Sequence, residues 1–152
     1  MDSFKHVNNT MYFRYQEASR GILFHEILKK VQDPSFDANA WRTGTGIGPI
    51  LANTFCSFKF PVSYPDNLLI GSVIHPHDRS HDRMKVTHTI WSLRHQRIAA
   101  EGDATVVCFD FKSGQVTNIP EALNRAIAEL HEGDSLHQLE SFGNISDFQS
   151  EF

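Results

Sequence analysis

Cysteine is scarce in this chain of 152 residues, and the two present, Cys56 and Cys108, sit inside apolar runs with neither metal-like nor redox-like spacing. They read as small buried hydrophobes of a reducing compartment, which leaves no disulfide framework and no thiol nucleophile. No apolar run approaches the ~18 residues that a membrane helix needs, and no signal-peptide core opens the chain. Positive charge is short as well: 14 Lys and Arg stand against 18 Asp and Glu, a net charge of −4. Nothing therefore draws the chain to nucleic acid or to an anionic membrane. A Gly-x-Ser-x-Gly elbow is missing and the chain is too short for an α/β-hydrolase domain, so a Ser-His-Asp esterase has no support. The Gly44-Thr45-Gly46-Ile47-Gly48 run lacks a Lys and leads into a strand, which excludes a phosphate loop.

What the sequence does have is enough apolar content, 40%, to bury one sizeable core. The longest helical signal runs from Asn9 to Val31, with Asn8, Asn9 and Thr10 as candidate N-caps and Lys29 and Lys30 near its C-terminal end. Its polar stripe is narrow, formed by Arg14, Glu17, Gly21 and His25, and the rest is apolar enough to expect a helix wrapped by other structure. Residues 32–49 read as a long connection with Trp41 as a buried anchor. Four strands follow, Ile50 to Phe60, Leu68 to Ile74, Met84 to Arg94 and Ile98 to Phe111, separated by turn signals. After the Lys112-Ser113-Gly114 turn, Pro120 opens a short helix through Leu130 that Gly133 ends. The pattern predicts an α+β domain over 1–132 in which a curved antiparallel sheet can wrap the long central helix, without choosing among α+β topologies, and a mobile polar tail over 133–152.

The first twelve residues carry the strongest signal. Asp2-Ser3-Phe4-Lys5-His6-Val7-Asn8-Asn9-Thr10-Met11-Tyr12, continued by Glu17-Ala18-Ser19-Arg20, resembles the Asp-x-x-x-His-Val-Asn-Asn-x-x-Tyr and Glu-Ala-Arg signature of hotdog-fold thioesterases. This covers the 4-hydroxybenzoyl-CoA thioesterase-like and acyl-carrier-protein thioesterase branches. Phe58-Lys59-Phe60-Pro61-Val62-Ser63-Tyr64-Pro65-Asp66 is similar to the family's aromatic-Pro-Tyr-x-Asp turn, and residues 104–120 to its last strand and closing Pro, so the likeness spans about residues 2 to 125. It departs at Lys5, where Gly is common, and at Phe4, which replaces an Asn.

The resemblance implies a hotdog fold and hydrolysis of an acyl-CoA or acyl-carrier-protein thioester at a dimer interface beside the helix N-terminus. The physical requirements agree. Thioester hydrolysis needs a carboxylate to activate water or attack directly, and positive potential where charge grows on the oxygen, which unpaired amides at a helix N-terminus supply. By resemblance Asp2 is the general base or nucleophile, His6 the neighbouring acid, base or orienting group, and Glu17 a candidate second acid. Asn8, Asn9 and Thr10 shape the turn that aims the amides, and Phe58, Pro61 and Tyr64 are candidates to line an acyl or pantetheine channel. A competing role for Glu17 is a surface ion pair with Arg20 or Arg14.

No metal or bound cofactor is implied. The His75-Pro76-His77-Asp78-Arg79-Ser80-His81-Asp82 segment offers ligand-type side chains, but Arg79 and Arg83 oppose a cation, so a solvated hairpin tip is expected. The expected assembly is a homodimer or a dimer of dimers, and the expected location is intracellular, cytoplasmic or mitochondrial. The family carries a strand ahead of its Asp, where this chain has only Met1, so the first strand of the sheet is expected to be missing, together with any targeting segment. The rival from another class is a non-catalytic hotdog module that binds acyl-CoA or mediates assembly.

Overall fold

The structure, a computed structural model, describes residues 5–75 and 81–130. Asp2, most of the His75–Asp82 segment, Gly133 and the tail lie outside those residues.

The long helix, α1 (Asn9–Lys30), starts where the sequence places it. Asn8 is extended and its side chain accepts from the Thr10 amide, while Lys29 and Lys30 occupy the last turn, where cations complement the carbonyl end of the macrodipole. The connection after it contains a short helix that the sequence reading did not resolve, α2 (Ala38–Thr43), capped by Asp37 and ended by left-handed Gly44. Trp41 is the anchor expected there, 2% exposed, with Phe24 and Phe36 against its ring.

Four long strands follow: β1 (Ile47–Phe58), β2 (Leu68–His75), β3 (Arg83–Ser92) and β4 (Arg97–Asp110). All pair antiparallel in the order β1-β4-β3-β2, and the short β5 (Gln115–Val116) returns along the end of β4. Asp110 builds that return by accepting from Lys112 and Ser113, and Gly114 takes the positive φ the turn demands. A last helix, α3, covers residues 121–130. The α+β arrangement expected of the sequence is therefore present.

One face of the sheet packs on α1, and strand alternation selects it: Met84, Val86, His88, Ile90 and Ser92 on β3, and Ala100, Gly102, Ala104, Val106 and Cys108 on β4, are buried. The opposite face carries ion pairs, Lys59 with Glu101 and Lys85 with Asp103. The helix is less enclosed than its composition suggests. Tyr12, Gln16 and Ile27 are buried, whereas Phe13 and Ile22 keep 38% and 66% of their surface.

The core falls into two apolar clusters. The larger joins Ile27, Trp41, Ile74, Met84, Val86 and Leu123, and the smaller, toward the helix N-terminus, joins Tyr12, Val62, Ile90, Ala99 and Ala100. Between them the pairing aligns Cys56, Gly102, His88 and Ser72 in one row across four strands, beneath Gln16 and Ser19 of α1.

Candidate active site

The loop ahead of α1 is fixed at three points. Lys5 takes a positive φ, 65°; the Val7 amide donates to the Val62 carbonyl at 2.8 Å; and Asn8 caps the helix. The Asn8 Oδ1 accepts from the Thr10 amide at 2.9 Å and from the Thr10 hydroxyl at 2.8 Å, and its carbonyl accepts from the Met11 amide at 2.9 Å. Asn8 and Thr10 therefore satisfy each other, and the amides of Thr10 and Met11 are committed. The Asn9 amide has no acceptor among the described residues. It is the donor that the start of a 22-residue helix leaves for an incoming oxygen.

Beneath this terminus Tyr12 is 3% exposed, edge-on to Tyr15 and Phe58 at 6.0 and 5.1 Å between ring centres. Burial, then the neighbouring Cys56 and Tyr15, push its phenol above the ordinary value, against a hydrogen bond from the Val62 backbone. Tyr12 is a wedge that ties the helix start to the 58–62 segment.

Beside the Asn8 cap lies a cleft of about 470 Å³ walled by Val7, Met11, Tyr15, Val62, Leu68 and Ile70, with Asn8, Tyr64 and Asp66 at its rim. Tyr64 thus stands at the cleft, 80% exposed. Phe58 packs behind Tyr12, and Pro61 is exposed away from the lining. The Asp66 carboxylate is held by the Ser92 hydroxyl at 2.6 Å and the Arg94 amide at 3.1 Å, while the Arg94 guanidinium donates to the Pro65 carbonyl at 3.0 Å. These bonds clamp the start of β2 to the end of β3 and so fix one wall of the cleft.

His6 is exposed on the loop that leads into the cap. Glu17 is exposed as well, and it stands ~12 Å along the helix axis from Asn9, from the rise per residue. Within one chain it does not converge on the cap. Burial holds the Arg20 guanidinium below its ordinary value and the Glu17 charge partly restores it, but Glu17 forms no ion pair with Arg20 or Arg14 among the described residues. Among the described residues no group of three His, Cys, Asp or Glu side chains is placed to hold a metal ion. No described helix is long and apolar enough to cross a membrane.

The sequence reading passed over the buried polar belt between the two apolar clusters. Gln16, fully buried, accepts from the Thr54 hydroxyl at 3.1 Å and donates to the Phe55 carbonyl at 3.5 Å. The Ser19 and Ser72 hydroxyls meet at 2.5 Å, and Ser72 bonds the His88 Nδ1 at 2.7 Å. His88 is 1% exposed and its Nε2 has no partner among the described residues. Burial, then the Arg20 charge, lower its pKa to about 4 against an opposing pull from Asp103, so the imidazole is neutral near neutral pH. The signal for this belt was available in the helix: Gln16 and Ser19 lie on the same side as Tyr12, Leu23 and Ile27.

Solved structures share this fold. A 1,4-dihydroxy-2-naphthoyl-CoA thioesterase from Synechocystis superposes with a TM-score of 0.67 at 15% identity, covering 86% of this chain and 89% of that one. A thioesterase from Thermus thermophilus, complexed with coenzyme A and Zn, gives 0.68 at 20% identity over 87% and 86%. A gentisyl-coenzyme A thioesterase gives 0.63 at 19% over 84% and 90%. At such identities the likeness speaks for the fold. No curated protein matches the chain. The model of the thioesterase-like superfamily matches residues 1–127, and with the motif, the capped helix and the wrapped sheet in agreement, the chain belongs to that superfamily.

Proposed function

We propose that this protein hydrolyses an acyl-CoA thioester to the free acid and CoA, with an acyl-carrier-protein thioester as the alternative form of the same substrate. The observation that carries this reading is the Asn9 amide at the start of α1, which has no acceptor among the described residues, beside an apolar cleft. The thioester oxygen sits on that amide, and the helix dipole adds to the positive potential as charge develops there. Asp2 removes a proton from water as the water oxygen bonds to the carbonyl carbon; the tetrahedral intermediate then expels the thiolate, which takes up a proton. Attack by the Asp2 carboxylate through an anhydride, later opened by water, gives the same products. His6, four residues on, orients the carboxylate or relays the proton. The steps call on no metal and no bound cofactor.

The proposed assembly is a homodimer or a dimer of dimers in which residues from two subunits complete the pocket. The support is the surface around β1, an edge strand on which Leu51 and Phe55 are 43% and 62% exposed, together with the open flank of α1 at Phe13 and Ile22. In a dimer, Glu17 of one subunit can reach the cap of the other, and this is the arrangement in which it serves as a second acid.

The test is thiol release from a panel of acyl-CoAs by the wild type and by Asp2→Asn, with sedimentation to read the assembly. The expected result is turnover in the wild type and a loss of two or more orders of magnitude in Asp2→Asn. An inert wild type that still binds acyl-CoA would select the non-catalytic module instead, and full activity in Asp2→Asn would remove Asp2 from the mechanism.

A further inference from the structure

The cleft beside the motif lies in the groove between α1 and β2, and both elements can be followed along it. Met11 and Tyr15 recur at four-residue spacing on one helical ridge, and the next residue on that ridge is Ser19. Leu68 and Ile70 alternate on the helix-facing side of β2, and the next residue on that side is Ser72. Those two serines are the pair joined at 2.5 Å, with Ser72 carried on to His88. An apolar groove that opens at the Asn8 cap therefore stops at a polar bar linking helix to sheet, on the boundary between the two apolar clusters.

We propose that the Ser19–Ser72–His88 bar is the end wall of the acyl channel, and that it restricts the substrate to linear acyl chains of up to roughly eight carbons, from the helix rise and the reach of an extended chain. The inference rests on the hydrolase reading for the position of the thioester oxygen at Asn9. Ser19 lies ten residues further along α1, so the two are ~15 Å apart on the axis. The backward tilt of helical side chains and one van der Waals contact at the wall leave ~10 Å of channel. An extended chain advances ~1.2 Å per bonded atom, judged from the reach of three backbone bonds per residue. A longer tail has to break the Ser19–Ser72 hydrogen bond and press methylenes against hydroxyls left without that partner.

The experiment uses S-alkyl-CoA thioethers from C4 to C16, which cannot be hydrolysed, titrated calorimetrically into the full chain, with hydrolysis of the matching acyl-CoAs followed in parallel. Affinity should rise to about C8 and fall about tenfold by C12, the cost of breaking one part-buried hydrogen bond. Ser72→Ala, and Ser19→Gly combined with it, should move that cut-off to longer chains. Ile70→Phe narrows the groove ahead of the wall without touching the bar, and it should move the cut-off to shorter chains, which keeps the test decisive if the serine variants fold poorly. Equal binding of C8 and C16, no binding at any length, or a cut-off that none of the variants moves would overturn the inference. A wild type that binds with the cut-off but hydrolyses nothing would overturn the hydrolase reading and leave the wall standing. Hydrolysis that is indifferent to chain length would do the reverse.

Discussion

The sharpest steric demand in the fold is at Gly102, and Gly102→Ala tests the buried belt directly. A Cβ on Gly102 points to the helix-facing side of β4, where it runs into the Gln16 amide nitrogen and meets the Phe55 carbonyl oxygen at 2.6 Å and the Gln16 Cδ at 2.8 Å. The Gln16 side chain is fully buried, and Phe55 belongs to the partner strand, one residue from the Cys56–Gly102 pair. Relief therefore requires either ejecting a buried amide or parting β1 from β4. Overpacking a close-packed core costs ~1–3 kcal/mol, and displacing Gln16 from Thr54 leaves a buried polar group unmatched at ~1–3 kcal/mol more. Because the two costs share Gln16, the expected total is about 3 kcal/mol rather than their full sum.

For a domain of this size that total lowers the melting temperature by about 6–12 °C. The assay is thermal and urea unfolding of wild type, Gly102→Ala, Gln16→Ala and the double variant. Gln16→Ala should recover part of the Gly102→Ala loss, a coupling of about 1–2 kcal/mol, while the Phe55 carbonyl keeps the remainder. A melting temperature within ~2 °C of wild type for Gly102→Ala would refute the packing described for this row, and complete rescue by Gln16→Ala would refute the role given to β1.

Three further outcomes are expected. The depressed pKa of His88, about 4 against an ordinary 6.5, means that the folded chain binds fewer protons than the unfolded one between those values; stability present above pH 6.5 is thus lost as pH falls toward 4, by about 3 kcal/mol in total. Urea titrations from pH 7.5 to 5 should show that slope in wild type and its near absence in His88→Gln, and equal slopes would count against a buried neutral imidazole. Asn8→Ala removes the cap on the Thr10 amide and should cost about 1 kcal/mol of stability while lowering the hydrolysis rate by more than the stability loss explains, measured on fully folded protein; an unchanged rate would separate the cap from the reaction. Trp41→Ala empties the space between Phe24 and Phe36 and should cost about 3–5 kcal/mol, read by urea unfolding, with a loss under 1 kcal/mol contradicting its place in the core.

The elements and the cap were legible because each rests on a local signal. Asn8 before an apolar run marks a helix start, Lys29 and Lys30 mark its end, and β-branched runs between Gly, Pro and Asp clusters mark the strands. The helix α2 was missed because six residues between an Asp-Pro-Ser stretch and a glycine-rich one give too little periodicity to separate a short helix from a loop. Site geometry was harder for a different reason. Phe58, Pro61 and Tyr64 are equivalent candidates in sequence, and only packing decides that Tyr12 takes Phe58 while Tyr64 reaches the cleft. A helical wheel likewise put Arg14, Glu17, Gly21 and His25 on the exposed stripe correctly, and it shows Gln16 as a polar residue on the apolar side, but the partners that match it, Thr54 and Phe55, are 38 and 39 positions away and are set only by the fold.

That belt also sets stability against selectivity in one place. Well-packed hydrophobes at Gln16, Ser19, Ser72 and His88 would leave no buried nitrogen unpartnered, and replacing both partners of a buried hydrogen bond by apolar groups of the same shape is often neutral or stabilising. The same replacement would merge the two apolar clusters and let the groove run on from Ile70 toward Ile74, between α1 and the sheet. A polar row that only held the fold together would have no reason to stop where the cleft stops. Here the Ser19–Ser72 bond closes the groove at the first position past its apolar lining, and a His88 Nε2 without a partner among the described residues is the cost of keeping that closure polar.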